Sequence, residues 1–111
     1  MEFNKKARGK MKNVKIKVET DEQNLKIQER VHDLNKEDSG FAWGVFLNSG
    51  NDYYDYYDYQ DYDRAVCFSW KKYKYLVIDN DLDLIICTNE DIWKQREEKE
   101  VSFEEFMVNN E

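Results

Sequence analysis

Tyr73-Lys74-Tyr75-Leu76-Val77-Ile78-Asp79-Asn80-Asp81-Leu82-Asp83-Leu84-Ile85-Ile86-Cys87 is the stretch that decides the fold. Residues 73–78 and 82–87 are short β-type runs, and Asp79-Asn80-Asp81 between them is a turn tripeptide. The pattern is that of a β-hairpin, which commits the chain to antiparallel pairing. Upstream, residues 11–18 alternate, with Val14, Ile16 and Val18 on one face and Lys15 and Lys17 on the other, the period of a half-buried strand. Thr20-Asp21-Glu22-Gln23 then matches a capping box with two acids in the first helical turn. Ile27, Val31 and Leu34 recur at helical spacing with Leu25 on a flank, so residues 21–34 read as one amphipathic helix, and residues 35–40 as a polar exit loop.

Between helix and hairpin, residues 41–47 are apolar and partly aromatic and read as a buried strand, and Ser49-Gly50-Asn51 marks a turn. Residues 64–70 read as a further strand, with Ala65, Cys67 and Ser69 opposite Val66, Phe68 and Trp70, and Lys71-Lys72 turns the chain. Downstream of the hairpin, Thr88 is placed to cap a short helix over residues 89–97, with Ile92 and Trp93 turned inward. Residues 99–102 form a brief edge strand. Ser102-Phe103-Glu104-Glu105 is a second capping box, opening a final turn or two that buries Phe103, Phe106 and Met107. The expected fold is α+β: a mostly antiparallel sheet of four or five strands, one main amphipathic helix and short C-terminal helices.

The chain has 111 residues, one small domain's worth, and residues 11–111 are expected to form it. No proline occurs, and the 41% of hydrophobic residues is enough for a core. No apolar run approaches a bilayer span, and no signal-peptide core follows the basic amino terminus. Two cysteines without such a signal fit a reducing cytosol, so a cytoplasmic location is expected and no membrane association. The net charge of -7 conceals an uneven distribution. Residues 1–18 carry seven basic side chains against Glu2 alone, whereas residues 19–111 carry ten basic and 23 acidic ones. Residues 1–10 read as a basic tail or an expression remnant.

The most unusual segment is Asp52-Tyr53-Tyr54-Asp55-Tyr56-Tyr57-Asp58-Tyr59-Gln60-Asp61-Tyr62-Asp63, which holds six of the eight tyrosines and five aspartates without a positive charge. Three readings stand. An exposed low-complexity loop is the plainest. A strand is favoured by tyrosine, but the Asp-Tyr-Tyr spacing has a period of three and does not segregate by face. A recognition surface is the third: tyrosines give rigid amphipathic contact area, and aspartates pair with lysine or arginine. Spaced carboxylates can also imitate nucleic-acid phosphates in a basic groove. The partner-binding candidates are therefore Asp52, Tyr53, Tyr54, Asp55, Tyr56, Tyr57, Asp58, Tyr59, Asp61, Tyr62 and Asp63. Their charge selects a basic protein and repels nucleic acid.

Other chemistry is thinner. Asp79, Asp81, Asp83 and Glu90 fall at positions 1, 3, 5 and 12 of a calcium-loop template, but Leu84 stands where that loop needs glycine. An acid-lined hairpin tip accounts for the same residues. His32, the single histidine, lies late in the expected helix and packs or meets solvent there. Cys67 and Cys87 lie in apolar runs, where a thiol is a small core residue, and their spacing does not suit zinc. Trp43, Trp70 and Trp93 read as core or rim aromatics. No phosphate loop, nucleophile elbow or histidine-glutamate zinc motif is present, so neither a cofactor nor catalysis is expected. Two alternatives stay open. One is a small divalent-metal-dependent hydrolase or nuclease around Asp79, Asp81 and Asp83. The other is a nucleic-acid-binding accessory protein acting through Lys5, Lys6, Arg8, Lys10 and Lys12. An exposed sheet edge would also permit a homodimer.

Residues 15–34, the hairpin at 73–87 and the ending Lys99-Glu100-Val101-Ser102-Phe103-Glu104-Glu105-Phe106 together resemble small accessory proteins of bacteriophages and prophages. The likeness covers about half the chain and is one of layout, without a catalytic motif. It implies a protein of the infected cell's cytoplasm that acts in host–virus interaction. The activity it implies is inhibition of a host nucleic-acid-processing or antiviral-defence protein.

Overall fold

The computed structural model describes residues 13–37, 44–50, 54–58, 68–79 and 84–109. In chain order these form β1 (Val14–Lys17), α1 (Asp21–Glu37), β2 (Gly44–Asn48), β3 (Tyr54–Asp58), a 3-10 turn (Phe68–Trp70) and β4 (Tyr75–Asp79). β5 (Leu84–Thr88), α2 (Glu90–Gln95), β6 (Lys99–Val101) and α3 (Phe103–Asn109) follow. The six strands form one sheet in the order β3-β2-β5-β4-β1-β6. β1–β4, β2–β3 and β4–β5 are antiparallel, and β1–β6 and β2–β5 parallel, so the fold is the expected mostly antiparallel α+β arrangement.

The hairpin supplies the middle of the sheet. β4 and β5 pair from Tyr75 opposite Thr88 to Asp79 opposite Leu84. Leu76, Val77, Ile78, Ile85, Ile86 and Cys87 are all buried, because both faces of these strands are covered, which is why their sequence runs apolar instead of alternating. β1, nearer the edge, alternates as expected, with Val14 and Ile16 buried and Lys17 exposed.

α1 and α3 lie on one face of the sheet. Ile27, Val31 and Phe106 pack there against Val14, Ile16, Val45, Leu47, Leu76, Ile78, Ile85 and Val101. Thr20 Oγ1 accepts from the Gln23 N–H and Ser102 Oγ from the Glu105 N–H, so both expected N-terminal caps form. α1 continues to Glu37, past the expected end at 34, and takes in the start of the anticipated loop. Its inward stripe also differs from the apolar one expected. Asn24 and Gln28 are fully buried beside Ile27 and Val31, and Leu25 is half-buried on the flank.

Two local expectations are corrected. Phe68–Trp70 is a 3-10 turn, not the end of a strand. The Trp70 carbonyl accepts from both the Tyr73 N–H and Asn24 Nδ2, bonds that a sheet ladder would have used otherwise. The cap of the short helix is Asn89, whose side chain accepts from the Ile92 N–H at 2.9 Å. Thr88 instead ends β5, and its hydroxyl donates to the Asn48 carbonyl at 2.7 Å. Residues 41–43, 64–67 and 80–83, with Trp43, Cys67, Asp81 and Asp83 among them, lie outside the described residues.

Candidate interaction surface at the sheet edge

β2 builds the surface. Its Val45 and Leu47 are buried in the α1/α3 core, which fixes the strand's register and leaves Phe46 half-buried on the opposite face. β3 then pairs with all five positions of β2: Tyr54 with Asn48, Asp55 with Leu47, Tyr56 with Phe46, Tyr57 with Val45 and Asp58 with Gly44. Of the eleven candidates, Tyr54, Asp55, Tyr56, Tyr57 and Asp58 thus form the terminal strand of the sheet among the described residues, and Asp55 is exposed. Asp52, Tyr53, Tyr59, Asp61, Tyr62 and Asp63 lie outside the described residues.

The turn that launches this segment is anchored to the far side of the hairpin. Gly50 adopts φ +86°, and its N–H donates to Asn48 Oδ1 at 3.1 Å. Asn89 Nδ2 donates to the Ser49 carbonyl at 2.8 Å while Asn89 Oδ1 caps α2. The junction of β5 with α2 therefore holds the exit of β2, although residues 48–50 and 88–89 are 40 positions apart. Sequence reading found the turn at Gly50 but not this anchor. The available signal was Asn89 followed by Glu90, Asp91 and Ile92, a polar cap with acids in the first turn.

On the face opposite α1, Phe46 of β2 neighbours Ile86, Ile86 neighbours Val77, and Val77 neighbours Lys15 across the strands. α2 meets that row through Trp93, which clusters with Val77, Ile86, Phe46 and Tyr75. Trp93 Nε1 donates to the Leu76 carbonyl at 3.1 Å, and its ring meets Tyr75 edge-on at 5.3 Å between centroids. Lys15, expected on a solvent face, donates to the Trp93 and Arg96 carbonyls at 3.1 Å each. Its ammonium also lies 4.4 Å from the Trp93 ring centroid. Lys15 thus neutralises the carboxyl end of α2.

Asp79 and Glu90, the ends of the calcium-like pattern, are committed elsewhere. Arg96 Nη2 donates to Asp79 Oδ2 at 2.6 Å and Glu98 Oε2 at 2.6 Å, and Arg96 Nε donates to Glu98 Oε1 at 3.0 Å. This fork holds the Glu98 carboxyl below its ordinary range and the guanidinium above its own. Glu90 pairs with Lys94 at 3.1 Å, which lowers its carboxyl. Among the described residues no group of three or more His, Cys, Asp or Glu side chains is placed to hold a metal ion. Nor is any helix among them long and apolar enough to cross a membrane. His32 is half-buried, with Nδ1 3.9 Å from Asp33 Oδ1, and Cys87 is fully buried in the core. Trp70 and Trp93 are buried.

No protein-family model matches the chain, and comparison with curated proteins and with solved structures gave no match.

Proposed function

We propose that the chain is a non-enzymatic protein-interaction module that recognises a basic protein through its Tyr/Asp segment. The observation that carries the reading is the position of Tyr54–Asp58: an aromatic and acidic sequence forms the outermost strand of the sheet among the described residues. Rigid aromatic area and carboxylates on one sheet edge suit a cationic protein surface, since tyrosine contact and charge pairing act at the same place. The five aspartates of residues 52–63 steer a cationic partner and repel nucleic acid. By its likeness to small phage accessory proteins, the partner is a host nucleic-acid-processing enzyme or antiviral-defence complex, which the module inhibits in the host cytoplasm.

Capture of partners from bacterial lysate tests this directly, comparing the native chain with one in which residues 52–63 are replaced by a neutral linker. A basic protein retained by the native chain alone, and released by moderate salt, is the expected result. Equal recovery of every bound protein by both chains would sink the assignment.

A further inference from the structure

We infer that the outward face of α1, flanked by α3, is a two-fold contact surface whose occupant is a second copy of this chain. It is separate from recognition by the Tyr/Asp segment and uses none of those residues. Asn24, Ile27, Gln28 and Val31 make up the stripe that α1 buries. Lys26, Glu29, Arg30 and Asp33 repeat the same i, i+3, i+4, i+7 spacing two residues on, about 200° around the helix, which turns them outward. Lys26, Glu29 and Asp33 are exposed and Arg30 is half-buried. With the half-buried Met107 of α3 they line an open groove of about 350 Å³. Val108, next to Met107 in sequence, is 64% exposed, and is the one large hydrophobic side chain so exposed among the described residues.

Among the described residues Lys26, Glu29 and Arg30 make no ion pair, and Asp33 meets only the neighbouring His32, at 3.9 Å. The order of charge along the stripe is plus, minus, plus, minus, and it inverts about the midpoint between Glu29 and Arg30. A second α1 crossing antiparallel at that midpoint sets Lys26 against Asp33 and Glu29 against Arg30, each pair formed twice. Every facing pair is then of opposite sign, the self-complementarity that an isologous contact demands. A parallel crossing in register sets each charge against its like, so the stripe selects direction as well as partner. A partner of one sign would meet two of the four charges as likes, whereas a copy carries the complement on the same helix. Ion pairs at a surface fix register and contribute little affinity, so the apolar contact falls to Met107. The net charge of -7 on each copy opposes association, and the dimer is accordingly weak.

Sedimentation equilibrium of the full chain at pH 7 and low salt tests this, with two charge variants confirmed as folded by circular dichroism. Lys26→Glu with Arg30→Glu makes the stripe wholly acidic, and Glu29→Lys with Asp33→Lys makes it wholly basic. The native chain should move toward two-chain mass as concentration approaches about 1 mM, as expected of a small interface. Each variant alone should self-associate at least tenfold more weakly, and an equal mixture of the two should recover association. The basic variant has the smaller net charge, so net repulsion alone would instead make it associate more strongly. All four substitutions combined should restore self-association, yet this chain should not pair with the native one, because antiparallel crossing then sets like against like throughout. A native chain that stays single at the highest concentration would overturn the proposal, as would self-association of both variants at native strength. Association lost on replacing residues 52–63 or deleting residues 1–10 would also overturn it, and would name that segment of the second copy as the occupant.

Discussion

At Gly50 the backbone is left-handed, with φ +86°, and a Cβ there would lie 2.5 Å from Asn89 Nδ2 and 3.3 Å from Ile92 Cδ1. Alanine at this position incurs both the left-handed penalty and displacement of the amide that caps α2 and holds Ser49. Gly50→Ala should lower stability by about 2 kcal/mol, read from urea unfolding. Asn89→Ala should cost about 1 kcal/mol as a lost cap. The clash is with the Asn89 side chain itself, so the double variant should cost clearly less than the two losses added together. Strict additivity would show that the two residues do not meet. Lys15 makes a different point at this scale. Alternation placed it correctly on the face opposite Val14 and Ile16, but only the arrival of α2, some 80 residues later, turns that face into the cap of a helix end.

α1 grips the sheet through a stripe that is half polar. Asn24 Nδ2 donates to the Trp70 and Tyr73 carbonyls at 3.2 and 2.6 Å, and Gln28 Nε2 donates to Asn24 Oδ1 at 2.7 Å. This buried pair ties the helix to the 3-10 turn that leads into β4. Asn24→Ala should cost about 3 kcal/mol, because it strips partners from Gln28 and two carbonyls in a water-poor site. Faster hydrogen exchange confined to residues 70–75 would accompany it, and unchanged exchange there would refute the clamp. The same contrast explains what the sequence makes legible. β1, the hairpin, α1 and both Ser/Thr caps were readable because period and cap chemistry are local properties. Residues 68–70 share the alternation of a strand yet form a turn, since the decisive bonds come from Asn24 on a distant helix. For β3, a period of three gave no facial signal, and tyrosine's strand preference leaves the choice open; pairing with β2 decides it. Composition nominated the whole candidate segment, whereas the placement of Tyr54–Asp58 beside β2 is set by long-range pairing.

Across the whole molecule, acid should loosen the fold through carboxylates held by cationic partners. Asp21 of α1 pairs with Lys74 ahead of β4, and Arg96 joins Glu98 ahead of β6 to Asp79 at the end of β4. Asp21, Glu90 and Glu98 are all lowered in the fold from ordinary values of 3.8, 4.5 and 4.5, each chiefly by a side-chain hydrogen bond from its cation. Their contribution is complete above those ordinary values and is lost as pH falls through the lower folded ones. Over that interval the unfolded chain binds protons that the folded chain refuses, so unfolding free energy must fall with pH below about 4.5. Water screens the pairs of the exposed Asp21 and Glu90, and 1 M salt should remove most of their share. Glu98 is half-buried and doubly bonded to the guanidinium, and its share should persist in salt. Urea midpoints measured from pH 7 to pH 2.5 in 1 M salt should therefore decline for the native chain, and decline less steeply for Glu98→Gln. Parallel profiles for the two proteins would show that the Arg96 fork does not link folding to protonation.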